Sequence, residues 1–276
     1  MTVAGTAAPI CIRSFTAQVT AAVAAEYARD PAGELLVWLQ MALRREASVG
    51  QLYGPSNLDL RLAQVRAPRD ILRLLRMTVS NIWAQEKAHA AYLDAILLGV
   101  ARPRELRQRI GARLERVLGS MEGRVLSGST SPSELERAKA GVLLAIGRQL
   151  QDVPAFVSSL SALSFRDFCL LNAELEVTAI DGYERMLVLL DTIRAPSSVR
   201  EHTTLVVDVG RMVDDERFHN ETFATIALWL EPATAGAGSL RPGLSFRACA
   251  ASLAEIRARI YRTSAQAERG APFGWS

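Results

Sequence analysis

Two Glu-x-x-His motifs 130 positions apart are the residues of this sequence best suited to chemistry. Glu86 and His89 form the first motif, and Glu216 and His219 form the second. Residues three apart on a helix share a face, so each motif directs a carboxylate and an imidazole towards one point. With 18 glutamates and 3 histidines in the chain, chance would produce roughly 0.2 such matches. The pair of motifs therefore indicates a site that binds metal ions.

A glutamate precedes each motif at the same interval and extends the repeat. Glu46 lies 40 residues before Glu86, and Glu176 lies 40 residues before Glu216. Four glutamates and two histidines from four helices are the ligand set of a carboxylate-bridged di-metal site in a helical bundle. Such oxygen and nitrogen donors suit iron and manganese, whereas thiolates would favour zinc or iron–sulfur clusters. The sequence predicts a metal pair held by Glu46, Glu86, His89, Glu176, Glu216 and His219.

Glu174 and Glu184 are the alternatives to Glu176 as the carboxylate of the third long helix. Glu174 lies about 160° around the helix axis from Glu176, away from the apolar face of that helix. Glu184 lies further towards the next turn and out of register with His219. The facing of the helix therefore favours Glu176.

Three further residues are expected to support the metal ligands. Tyr53 and Tyr183 each lie seven residues after a predicted ligand, on the same helix face, where core packing and a redox or supporting role are both open. Asp215 precedes Glu216 and could orient the imidazole of His89, as metal-bound histidines usually require. Gln85 occupies the matching place in the other half, so the two metal positions should have unequal surroundings.

Four long helices must position these side chains, at about 34–53, 70–98, 164–193 and 198–230. They should form two antiparallel hairpins, over about 34–100 and 164–231. Pro196 lies midway between Glu176 and Glu216, as a turn between equal arms requires. The first hairpin is less regular, because its midpoint falls inside a connection spanning 54–68. Extra helices are predicted at about 14–29, 101–163 and 245–263, no strand is predicted, and the whole chain 1–276 is expected to be one helical domain.

Composition excludes several other classes of protein. The net charge is only +3, and the arginine-rich stretch 102–116 has no interleaved aromatic residues, so nucleic acid is not an expected partner. Cys11, Cys169 and Cys249 are widely spaced and fit a reducing cytoplasm better than a disulfide framework. No apolar run is long enough to span a membrane, and the amino terminus does not look like a secretory signal.

The order of these motifs resembles the ferritin-like di-iron carboxylate superfamily. The residues that carry the resemblance are Glu46, Glu86-Lys87-Ala88-His89, Glu176 and Glu216-Arg217-Phe218-His219, within about 34–100 and 164–231. The run from Asp215 to His219 is similar to the Asp-Glu-x-x-His helix of bacterial di-iron oxygenases. Tyr53 is similar to the tyrosine that ferritins keep beside their ferroxidase centre.

The resemblance implies a four-helix bundle that holds two iron ions, or a manganese–iron pair. Ferritins lack the histidine of the second Glu-x-x-His, so the full set looks more like the oxidase and oxygenase branch. The implied function is O₂-dependent oxidation of a small organic molecule. An electron donor and a homodimer are compatible with that function. A ferroxidase or peroxide-detoxifying protein is the first alternative, and a metal-free helical scaffold is the second.

Overall fold

A computed structural model describes residues 12–52, 54–100, 163–193, 199–231 and 238–270 of the chain, which are mostly helical. The helices of this part are α1 (Ile12–Glu26), α2 (Pro31–Leu52), α3 (Pro55–Leu62), α4 (Arg69–Val100), α5 (Phe165–Thr192), α6 (Val199–Trp229) and α7 (Phe246–Gly270). The predicted all-α class is confirmed for these residues. No helix in these ranges is long and apolar enough to cross a membrane.

Local sequence signals explain where the long helices begin. Ser164 precedes α5, and its hydroxyl accepts a hydrogen bond from the Asp167 backbone N–H at 3.1 Å, which is a serine N-cap. Asp30 plays the same part for α2, because its carboxylate accepts from the Gly33 N–H at 2.9 Å. Pro31 then occupies the first helical position, which suits its fixed φ and missing N–H. The prediction that α2 starts at Glu34 was therefore three residues late.

Helices α2, α4, α5 and α6 pack against one another. α2 packs against α4 and α5 packs against α6, as the two predicted hairpins require, and contacts between α2 and α5 and between α4 and α6 join the pairs. Side-chain contacts show that α4 and α6 run antiparallel, because Gln85 meets His219 whereas Tyr92 meets Asp208. α1 packs on α5, and α7 packs on α6 and α4.

Two apolar clusters lie along these helices, one on each side of a polar layer. The first contains Val79 and Ile82 of α4, Phe168 of α5 and Phe223 of α6. The second contains residues from further along α4 and α5 and from earlier in α6, namely Leu93, Leu97, Met186, Leu189, Val209 and Met212. The predicted metal ligands of these three helices fall between the two clusters in sequence, so apolar layers enclose them from both ends.

The connection between α2 and α4 differs from the prediction of an irregular segment. It contains α3 and a two-residue strand β1 (Val65–Arg66), which pairs in parallel with β2 (Gly238–Ser239). The prediction of no strands was wrong at this point. A strand of two residues is too short for an alternating pattern, and its partner is distant in sequence, so only the tertiary structure reveals it.

The predicted extra helices have different outcomes. The helix at 14–29 corresponds to α1, and the helix at 245–263 corresponds to α7, which extends to Gly270. The helices predicted within 101–163 fall almost wholly outside the described residues. The single-domain organisation stays a prediction.

Candidate metal centre

The structure brings all six predicted ligands into one buried layer. Each is at most 6% exposed, and Glu46, Glu86, Glu216 and His219 are fully buried. α2 supplies one glutamate, α5 supplies one, and α4 and α6 each supply a Glu-x-x-His motif. By contrast, the alternative carboxylates Glu174 and Glu184 are exposed, as the facing argument predicts.

The donor atoms form two overlapping groups. Within each group, one nitrogen or oxygen from every residue lies within 4.8 Å of the others. Glu86 and Glu216 belong to both groups. The remaining members are Glu46 and His89 in the first group, and Glu176 and His219 in the second. Two adjacent metal positions bridged by two glutamates fit this arrangement.

Seven side-chain atoms that face the centre are buried without hydrogen-bond partners among the described residues. These atoms are Oε2 of Glu46, both carboxylate oxygens of Glu86 and Glu216, and the Nδ1 atoms of His89 and His219. Buried polar atoms are nearly always paired in proteins, so this concentration in one layer needs an explanation. His219 Nδ1 lies 3.0 Å from Glu86 Oε1, and His89 Nδ1 lies 3.2 Å from Glu216 Oε1. Ligands about 2.1 Å from an octahedral ion are about 3 Å apart, so the donor set fits metal ions.

Hydrogen bonds on the outer side of each imidazole direct its Nδ1 towards the centre. His89 Nε2 lies 3.1 Å from Asp215 Oδ2, the contact predicted from the sequence. His219 Nε2 lies 3.1 Å from Gln85 Oε1. Each Nε2–H can donate outward and leave the Nδ1 lone pair for a metal ion. One imidazole is backed by a carboxylate and the other by an amide, so the two surroundings are unequal as predicted.

The two tyrosines have different outcomes. The Tyr183 hydroxyl donates a hydrogen bond to Glu46 Oε1 at 2.8 Å, so this residue does contact a predicted ligand. Burial, reinforced by the charge of Glu46, raises the pKa of Tyr183 well above its usual value, which keeps the phenol protonated. Tyr53 lies outside the described residues, and its role stays a prediction.

Arg45 was missed by the sequence analysis. Its guanidinium pairs with Glu46 Oε1, lies 3.6 Å from Glu216 Oε1 and lies 5.1 Å from the ring centre of Tyr183. Consecutive helix residues do not face each other, so a neighbour of Glu46 was not expected at the same site. The long side chain overcomes this separation and folds back to the carboxylate.

Tyr261 of α7 was also missed. Its hydroxyl donates a hydrogen bond to Oδ1 of Asp215, whose other oxygen contacts His89 Nε2. Gln85 also donates to Oδ1, at 3.1 Å, so Asp215 is held by several neighbours. The four long helices supply every predicted ligand, and the sequence contains no signal that a fifth helix would contact this network.

A small cavity lies between α2 and α5 beside the centre. Its volume is about 20 Å³, and Trp38, Met41 and Met186 contribute apolar walls. Arg45 and Tyr183 also line the cavity, and both contact Glu46. The cavity is large enough for a water-sized molecule. It is far below the roughly 300 Å³ of the smallest typical pockets for organic ligands.

The carboxylates divide into two electrostatic classes in the protein without metal. Burial and neighbouring negative charges raise the pKa of Glu86 and of Glu176 well above the usual range. Burial opposes ionisation of Glu46 too, but the charge of Arg45 and contacts with Glu86 and His89 together outweigh it and lower the pKa to about 2. Glu216 behaves likewise, because contacts with His219 and His89 outweigh burial and lower its pKa. The raised pKa values of two carboxylates and the positive charge of Arg45 therefore reduce the free-energy cost of burying four carboxylates in one layer.

Metal loading should release protons, because metal ligands must be deprotonated. The raised pKa values of Glu86 and Glu176 favour their protonated forms in the metal-free protein. Burial disfavours the imidazolium of His89, but close contacts with Asp215, Glu216 and Glu46 outweigh it and raise that pKa well above the usual value. We expect about two to three protons released per metal pair at pH 7, and apparent affinity that rises with pH. An indicator dye in weakly buffered solution measures the release, and no release on stoichiometric binding would contradict it.

Comparison with known proteins adds no family to these observations. No protein-family model, curated protein or solved structure matches the chain. What the chain does is therefore inferred from the geometry and chemistry of its own buried side chains.

Proposed function

We propose that this chain is a ferritin-like protein that binds two iron ions, or a manganese–iron pair, and uses O₂ to oxidise a small organic molecule. The observation that carries the proposal is the pair of overlapping donor groups that share Glu86 and Glu216. Two single sites would not need shared carboxylates. Two divalent ions a short distance apart do need them, because the bridging charges offset the repulsion between the ions.

Each ligand has a defined part in the proposed centre. Glu86 and Glu216 would bridge the ions, each with both oxygens free of hydrogen bonds among the described residues. Glu46 and His89 would complete one position, and Glu176 and His219 the other. The four carboxylates carry four negative charges, which balance two divalent cations. Asp215 and Gln85 would hold the imidazoles in their binding orientation.

Bound in its reduced state, the metal pair would supply the electrons with which O₂ is reduced. The protein's own residues control access and protons around that chemistry. The apolar clusters on both sides exclude water from the centre. Tyr183 holds a proton at its hydroxyl, 2.8 Å from Glu46, where a proton could be delivered to the ligand shell. The small cavity beside Arg45 would accommodate a diatomic gas.

Two features support the oxidase or oxygenase branch over other di-metal proteins. The chain has a histidine in both Glu-x-x-His motifs, and both are buried with Nδ1 facing the centre. The acidic residue before the second motif contacts an imidazole ligand, as in the resemblance to bacterial di-iron oxygenases. This cavity is too small for an organic substrate. The proposal that the substrate is organic therefore depends on the set of predicted ligands.

A ferroxidase or peroxide-detoxifying role is the second candidate. The size of the cavity favours it, because O₂, peroxide or water would fit where an organic molecule would not. In that case iron or peroxide is itself the reactant, and added Fe²⁺ alone should drive rapid O₂ consumption. An oxygenase should consume O₂ slowly until its organic substrate is present.

Anaerobic titration with Fe²⁺, followed by O₂, tests the proposal. We expect two irons per chain, Mössbauer spectra of a spin-coupled pair after oxidation, and loss of the pair in Glu176→Gln. Glu174→Gln is the matched control, because Glu174 lies on the same helix but is exposed. Binding of no iron would contradict the proposal and leave the metal-free scaffold. The rate of O₂ uptake with Fe²⁺ alone separates the two di-iron candidates.

A further inference from the structure

The two halves of the centre differ at the residue before the first glutamate. Arg45 precedes Glu46, whereas Leu175 precedes Glu176, at the same offset that relates the ligands. Both residues are buried, with Arg45 at 6% exposure and Leu175 at 1%. One half of the centre therefore carries a permanent positive charge where the other half carries an apolar side chain.

The guanidinium contacts one carboxylate of the His89 position and one carboxylate shared by both positions. It pairs with Glu46 and lies 3.6 Å from Glu216 Oε1, and both residues belong to the donor group of His89. The Glu216 oxygen that it approaches, Oε1, is the one that lies 3.2 Å from His89 Nδ1, whereas Oε2 lies 3.6 Å from His219 Nδ1. The arginine head group packs over the Tyr183 ring and borders the small cavity, and the residue is buried. An arginine cannot lose its proton in a protein, so this charge persists when metal arrives.

We propose that Arg45 is a resident cation that competes with a metal ion for Glu46 and Glu216, so that the position at His219 fills first and the position at His89 binds more weakly. This inference rests on the proposed di-metal function. In the metal-free protein, Arg45 neutralises part of the acidic layer and preserves its geometry. In the loaded protein, it repels the ion beside it.

The same contacts limit how Glu46 can bind a metal. Its Oε1 already accepts hydrogen bonds from Tyr183 and Arg45, whereas its Oε2 is buried without a hydrogen-bond partner among the described residues. Glu46 would therefore offer a single oxygen to its ion. A carboxylate that shares its charge with a guanidinium is also a weaker donor, which acts in the same direction as the repulsion.

Asp215 has the opposite charge and lies near the same position, so the two effects must be compared. Asp215 reaches the metal only through the imidazole of His89, because it contacts the outer Nε2. Its charge is also shared with Gln85 and Tyr261. Arg45 contacts a ligand oxygen directly, and electrostatic energies fall with distance, so its repulsion should dominate.

Anaerobic titration with Mn²⁺, followed by electron paramagnetic resonance, tests this inference. Wild-type protein should bind two ions in separate steps whose affinities differ by roughly tenfold or more. The first step should produce the spectrum of an isolated ion, and the second should convert it into that of a coupled pair. In Arg45→Met the second step should tighten by at least about tenfold, and the coupled spectrum should appear earlier in the titration.

Matched variants assign the two steps to residues. Arg45→Lys keeps the charge and should keep the separation, whereas Arg45→Gln keeps a hydrogen-bond donor and should lose it. Arg185→Met removes an arginine that pairs with Glu34, at 2.8 Å, outside the metal centre, and should leave both affinities unchanged. Glu176→Gln should remove the tight step, and Glu46→Gln should remove the weak one. Helical circular dichroism confirms that each variant is folded.

The outcomes separate this inference from the function on which it rests. Two equal affinities in wild-type protein, or unchanged affinities in both Arg45→Met and Arg45→Gln, would overturn the role of Arg45 and leave the di-metal centre standing. Binding of no Mn²⁺ and no Fe²⁺ to any of these proteins would overturn both.

Discussion

Replacing Glu216 by glutamine is expected to abolish binding of the metal pair, with a fall in affinity of about 10³-fold or more. Loss of an outer hydrogen-bond partner of a ligand costs roughly 10–100-fold in metal affinity, and a carboxylate serving two ions should cost more. Glu216 lies 3.2 Å from one ligand histidine Nδ1 and 3.6 Å from the other. Glutamine keeps the shape of the side chain and removes its charge. Equilibrium dialysis with Mn²⁺ or Fe²⁺, followed by metal analysis, measures the loss.

The control for this variant is Glu221→Gln, on the same helix. Glu221 is partly exposed and pairs with Arg259 of α7, so its replacement also removes a carboxylate and an ion pair. Exposed pairs contribute little, and metal binding should be unchanged. Retention of two ions by Glu216→Gln would contradict the bridging role. It would also remove the main support for a di-metal centre.

Loading with metal is expected to raise the thermal unfolding temperature by about 8–16 °C. The metal-free protein buries carboxylate oxygens and imidazole nitrogens without hydrogen-bond partners among the described residues, and bound ions would satisfy these atoms. A ligand at 1,000 times its dissociation constant stabilises the folded state by about 4 kcal/mol. For a domain of this size, each kcal/mol shifts the midpoint by about 2–4 °C. Circular dichroism melts with Mn²⁺ and with a chelator measure the difference.

The same melts on Glu216→Gln separate specific from general effects of the ion. That variant should show no metal-dependent shift, because the shift depends on binding at the buried layer. A wild-type protein with identical melting curves in Mn²⁺, Fe²⁺ and chelator would contradict the prediction. Equal shifts in wild type and variant would point to binding elsewhere on the protein.

The placement of Glu176 shows how far sequence patterns can predict a buried site. Glu174 and Glu176 are chemically identical and two residues apart, yet only Glu176 lies on the apolar face of its helix. The structure buries Glu176 and exposes Glu174. Helical periodicity was sufficient here because both the candidate ligand and its apolar neighbours follow the same 3.6-residue repeat.

The contact between His89 and Asp215 was also predicted from the sequence, although the two residues belong to different helices. The prediction succeeded because Asp215 is covalently next to Glu216, so that a site built on Glu216 must bring Asp215 with it. Arg45 is equally close in sequence to a ligand, but nothing in its spacing showed which way its flexible side chain would turn. The rotamer of a long cation is decided by the charges that surround it.

The amino-acid sequence by itself predicted the long helices, the facing of Glu176 and the six candidate donor residues, because these depend mainly on spacing along a helix. Only the tertiary structure decided that Glu86 and Glu216 lie in both donor groups, that Arg45 and Tyr261 join the network, and that β1 pairs with β2. Apart from the pairing of Arg45 with its neighbour Glu46, those features are contacts between elements distant in the chain. They follow from how apolar faces pack and how buried charges find partners, and neither leaves a periodic trace in the sequence.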